Sequence, residues 1–211
     1  MRRKTFDVLV SAGGALMVVV LLVAGALLWW GYSFANSNVT SQLAQQQITF
    51  PAASAFAHPV APAPGTFSEV TPSMIPSVSQ YAGQKLTTGA QAEVYANDFI
   101  GEHIAEIGGG LTYAQLSSKA MALPAGSAAY NKAEATVATV FQGTTLRGLL
   151  LEAYGFSVFA VIAQDAAIAA FALAALMALL VGFGYFHARK TNDAKELLPS
   201  RAKVTGTLVP A

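Results

Sequence analysis

Residues Val8 to Trp30, VLVSAGGALMVVVLLVAGALLWW, form a run of 23 residues without a charged side chain. At ~1.5 Å per residue a helix of this length reaches about 34 Å, enough for a hydrocarbon core of ~30 Å. Inside lipid the backbone must satisfy its own hydrogen bonds, so a lone run of this kind crosses as a helix. A second run ends at Phe186, and Ala166 to Phe186 again carries no charge. The sequence therefore predicts an all-α membrane protein with two transmembrane helices, at 8–30 and about 166–186, and an extracytoplasmic α-helical domain inserted between them. Composition agrees: 54% of the residues are hydrophobic and 11% charged, where soluble domains carry roughly 25% charged residues.

Charge sets the expected orientation. Arg2, Arg3 and Lys4 precede the first run, and His187, Arg189, Lys190, Lys195, Arg201 and Lys203 follow the second. The residues between the runs hold four basic side chains and seven acids before Asp165. By the positive-inside rule residues 1–7 and 189–211 are cytoplasmic, the protein sits in the plasma membrane, and residues 31–145 lie outside the cytoplasm. A basic start followed by an apolar run also opens secretory signal peptides. This run exceeds their ~7–15-residue apolar region, so retention as a helix is expected.

Asp165 is the one acid within the apolar stretch from Tyr154 to Phe186. A carboxylate at the bilayer centre costs roughly 3 kcal/mol on insertion scales. Because 166–186 suffices to cross, Asp165 and Gln164 are expected at the outer interface, level with the aromatic belt of Trp29 and Trp30. Small residues recur every four positions in the second run, at Ala166, Ala170, Ala174, Ala178 and Gly182. They are the expected helix-packing stripe, against the chain's own first helix or another protein, since close backbone approach drives association in lipid.

The inserted segment changes character along its length. Asn36 to Gln47 continues the first helix by its apolar spacing. Residues 49–80 hold six of the nine prolines, which forbids a long helix, yet they are apolar enough to drape over the rest. Helices are expected over Leu86–Ile107, over the stretch capped by Thr112, and over Ala128–Gln142. A further long helix at 146–188 then enters the membrane. The glycines 108–110 and Pro124 act as stops, and the tail after Lys190 is expected to be disordered.

Chemistry-bearing residues are few. There is no cysteine, and the three histidines are His58, His103 and His187. The best cluster is Asp98, Glu102, His103 and Glu106, with acids four apart on one helix face. It is a candidate weak cation site, its bland alternative being a solvated face. A two-His-one-carboxylate iron site would need His58 to meet His103 and one of these acids. Neither a nucleophile elbow nor a phosphate-binding glycine loop is present. Arg147 and Glu152 are expected to form structural pairs. A net charge of +1 gives no basic face for nucleic acid.

The stretches WWGYSFANSNVTSQLAQQQITFP, MIPSVSQYAGQKLTTGAQAEVYANDFIGEHIAEIGGGLTY and FQGTTLRGLLLEAYGF resemble a family of actinobacterial two-span membrane proteins, over most of residues 1–190. The resemblance implies an actinobacterial cell envelope as the setting. Members often carry the label of an aromatic ring-opening dioxygenase subunit, which implies an iron site. The resemblance supplies no catalytic residues.

The leading functional expectation is a non-enzymatic accessory or scaffold subunit of a larger membrane assembly, such as a respiratory or lipid-transport complex. It would use no cofactor and have membrane lipids, other membrane subunits or a second copy of the chain as partners. A second expectation is a lipid or small-molecule binder with an apolar pocket roofed by the proline-rich segment. A metal-dependent dioxygenase is the third.

Overall fold

The computed structural model describes residues 3–59 and 69–190. They form α1 (Arg3–Gln45), α2 (Ile75–Val78), α3 (Gly89–Val94), α4 (Gly101–Gly108), α5 (Tyr113–Met121) and α6 (Ala128–Lys190), with short 3-10 turns before and after α2. A π-helical segment, Tyr95–Ile100, joins α3 to α4. Among the described residues there is no strand, only an isolated bridge between Thr49 and Lys85. The expected cytoplasmic tail from residue 191 lies outside the described residues.

The chain divides into two compact units: residues up to Trp30 with those from Ala163 onward, and Gly31–Ile162. Both α1 and α6 contain stretches long and apolar enough to cross a membrane. In the first unit their large apolar side chains point outward: Leu16 is 67% exposed, Leu179 63% and Phe183 72%. These stretches are therefore not the core helices of this chain.

The contact within the first unit follows a three-four spacing. On α1 the buried and half-buried positions include Ser11, Gly14, Val18, Leu21, Gly25 and Leu28; on α6 they include Ala167, Ala170, Ala174, Met177, Val181, Gly184 and Ala188. An average step of ~3.5 residues keeps one face of each helix on its partner through a left-handed supercoil. Glycines receive the knobs. A Cβ at Gly14 would lie 2.6 Å from Val181 Cγ2, one at Gly25 2.8 Å from Phe171 Cε1, and one at Gly184 2.8 Å from Ser11 Oγ.

Only part of the expected packing stripe serves the contact within this chain. Ala170 and Ala174 are buried, but Ala166 is half-buried and Ala178 and Gly182 are exposed. A helix advances ~100° per residue, so each four-residue step overshoots a turn by ~40° and five such positions cannot stay on one straight face. The heptad spacing drifts far less, and it carries the contact within the chain.

The second unit has its own core, in which Val39 and Leu43 of α1 join Phe50, Val70, Met74, Val78, Leu86, Ala92, Ala96, Ile100 and Leu150 of α6. The proline-rich segment supplies four of these, so its described part packs into the unit. Phe50 is its aromatic hub, with ring centroids 5.2 Å from both Tyr81 and Tyr95. Backbone bonds fasten this segment: Phe50 N–H donates to the Gln84 carbonyl and Leu86 N–H to that of Ile48, both at 2.9 Å.

Local signals explain most of the helix ends. Thr88 and Gln91 form a capping box at α3, and Thr112 and Gln115 form one at α5, each satisfying orphan N–H groups. α4 stops where Gly109 turns left-handed at φ 59°, a conformation glycine adopts without steric cost. Two residues past the end of α1, Gln47 turns left-handed at φ 55° without that freedom.

One expected boundary is missing. The helix expected over Ala128–Gln142 and the long helix at 146–188 are a single element, α6, of 63 residues. Gly143 does not break it, since one glycine costs a helix interior only about 1 kcal/mol; the missing side chain makes room for α4, where a Cβ at 143 would come within 2.9 Å of Ile104 Cγ1.

Candidate functional site

Within the second unit, α1 and α6 enclose an apolar groove. From α1 it is lined by Phe34, Ala35, Asn38, Val39, Gln42, Leu43 and, just beyond the helix end, Gln46; from α6 by Leu146, Leu149, Leu150, Glu152, Ala153 and Phe156. Its volume is about 540 Å³, within the ~300–1,000 Å³ of small-molecule sites. The spacing of its lining residues explains why the sequence builds it. Phe34, Asn38 and Gln42 lie four apart on α1, and Leu149, Glu152 and Phe156 lie three and four apart on α6, so each set shares a helix face.

The two sets differ in depth. Val39, Leu43 and Leu150 are buried and form the floor, whereas Phe34 (60% exposed), Leu149 (59%) and Phe156 (55%) form the rim. Such apolar rims carry a hydration cost that a bound apolar group would remove. Polarity is confined to the carboxamides of Asn38, Gln42 and Gln46 and the carboxylate of Glu152. Asn38 Nδ2 donates to the Phe34 carbonyl one turn earlier, at 2.9 Å. The walls of the groove are the two helices, and no described residue of the proline-rich segment lines it; residues 60–68 of that segment lie outside the described residues.

A smaller cavity of about 260 Å³ lies between α4 and α6, lined by residues including His103, Ile104, Ile107, Val140 and Gly143. It adjoins the acidic cluster, whose members do not converge. Glu102 accepts from Ser73 Oγ at 3.2 Å, His103 packs edge-on to Phe99 at 4.5 Å, and Glu106 keeps a buried oxygen without a hydrogen-bond partner. Asp98 sits in the π-helical segment. There i→i+5 bonding widens the turn, so side chains four apart across it no longer stack as in an α-helix. Among the described residues no group of three or more His, Asp or Glu is placed to hold a metal ion, which corrects the cation cluster of Asp98, Glu102, His103 and Glu106. His58 is exposed. The residues do not fit the iron site that a ring-opening dioxygenase would need.

Arg147 and Glu152 are the residues expected to pair with charges of the domain or of a partner, and within the domain Arg147 bonds a neutral side chain. Arg147 Nη2 donates to Asn97 Oδ1 at 2.8 Å, leaving its buried Nε–H without a hydrogen-bond partner. Glu152 is exposed at the groove. Desolvation pushes the phenol of Tyr95, packed between Phe50 and Phe99, above its ordinary pKa.

In the first unit Asp165 is exposed, and Gln164 half-buried. Gly14 opposite Val181 and Gly25 opposite Phe171 fix an antiparallel register. Five residues beyond Gly25 and five before Phe171 bring Trp30 to the level of Ala166, one position from Asp165. The groove was illegible in the sequence because nothing marks which faces of two distant helices meet. The one available signal was the apolar stretch Leu146–Ala163, too greasy for an exposed helix.

No family model, curated protein or solved structure matches this chain.

Proposed function

We propose that this chain is a two-span, non-enzymatic membrane protein whose extracytoplasmic unit binds the aliphatic chain of a membrane lipid in the groove between α1 and α6. The observation that carries the reading is the groove itself: about 540 Å³, mainly apolar on both walls, with a buried floor and an exposed rim of Phe34, Leu149 and Phe156. The basic residues at the two ends support placing the groove outside the cytoplasm. The resemblance to two-span actinobacterial proteins supports a cell-envelope setting.

Lipid extracted from the full chain in mild detergent and identified by mass spectrometry tests this. One lipid per chain is expected, lost in Ala153→Trp, which fills the groove from its wall. Equal lipid in both proteins would refute the assignment.

A second reading, the accessory subunit, is favoured by a specific surface. Phe156, Phe159, Val161 and Ile162 are all exposed on α6, before the uncharged stretch that begins at Ala166. Neighbouring membrane subunits would cover such a surface. A stoichiometric partner co-purifying with the tagged chain, and lost in Phe159→Glu, would favour it.

A further inference from the structure

We infer that the groove selects its ligand by head-group charge, accepting an aliphatic chain with an uncharged or cationic head and disfavouring an anionic one. This inference rests on the ligand-binding reading above. Among the lining residues Glu152 is the only charged side chain, and no Lys, Arg or His is present. The other polar lining groups are the neutral carboxamides of Asn38, Gln42 and Gln46.

A second, independent feature has the same sign. The C-terminal turn of α1 ends at Gln45, beside Gln42, Leu43 and Gln46 of the wall, and has no basic residue to offset it. Helix C-termini carry a partial negative charge from their outward carbonyls. An anionic head in the groove would thus meet a carboxylate and a negative helix end with no basic lining side chain. A hydroxyl head would hydrogen-bond to the carboxamides, and an ammonium would in addition be drawn to Glu152. Because Glu152 is exposed, its field is screened and the selectivity is modest.

The test uses the full chain in mild non-ionic detergent. A chain-matched saturated fatty acid, monoacylglycerol and alkylamine are titrated at mildly alkaline pH and low salt, with binding read by native mass spectrometry. The monoacylglycerol and the amine are expected to bind more tightly than the fatty acid by up to about fivefold, the scale of a screened charge interaction. Glu152→Gln should narrow that ratio, as should added salt. Fatty acid binding as tightly as the other probes, or a ratio unmoved by Glu152→Gln, overturns charge selection while leaving the groove a lipid site. Failure of all three probes to bind overturns the lipid-site reading itself.

Discussion

At the scale of single residues, adjacent glycines have opposite roles. A Cβ at Gly14 would lie 2.6 Å from Val181, whereas one at Gly13 would meet nothing within 4 Å. Gly14→Ile is therefore expected to cost about 1–3 kcal/mol through overpacking, and Gly13→Ala to be close to neutral. Equilibrium unfolding of the full chain in detergent separates them, and equal losses would contradict the contact. Tyr95 gives a pH signature. Burial raises its phenol above the ordinary 10.0, so as pH climbs past that value the unfolded chain loses this proton first. The folded chain still holds it, and stability falls through the window up to the raised pKa. Tyr95→Phe should flatten the alkaline limb of a stability–pH curve and leave neutral pH little changed in slope. An unaltered alkaline limb would contradict the assignment.

At the scale of elements, two capping boxes share a chemistry but not a setting. Gln91 is 7% exposed; its Oε1 accepts from Thr87 N–H at 2.8 Å and Thr88 N–H at 3.1 Å, and its Nε2 donates to Gln84 Oε1 at 3.1 Å. Gln115 serves the exposed N-terminus of α5. Gln91→Ala strands part-buried donors and should cost about 1–3 kcal/mol. Gln115→Ala, where water replaces the lost partner, should cost less. Hydrogen exchange at the first turns of α3 and α5 checks the order, and a larger effect at α5 would contradict it. The same elements show what the sequence makes legible. Thr112, Gly109 and the apolar spacing of α1 to Gln45 act through nearby backbone, so their meaning is visible in a short window. Gly143 and the heptad on α6 act through distant partners. Gly143, just past the end expected for the helix at Ala128–Gln142, serves Ile104 across the unit, and the four-residue alanine repeat reads as a stripe until the helical twist is counted. The π-helical turn at Tyr95–Ile100 left no such local mark.

At the scale of the whole molecule, the architecture follows from two apolar runs, while the groove depends on which helix faces meet between α1 and α6. The absence of cysteine makes orientation directly measurable, since a single introduced thiol is unique. Ala125→Cys, in the exposed turn between α5 and α6, should react with a membrane-impermeant maleimide in intact cells, and Thr5→Cys should react only after lysis. The reverse pattern would invert the orientation. The measurement that bears most directly on the central claim is photo-crosslinking of the membrane-embedded full chain with a lipid carrying a diazirine on its acyl chain, the adducts located by peptide mass spectrometry. Ligand in the groove predicts adducts at Leu149, Ala153 and Phe156 as well as at the outward-facing span residues, with the groove adducts abolished by Ala153→Trp and the span adducts retained. Adducts confined to the spans, or groove adducts unaffected by that variant, would contradict it.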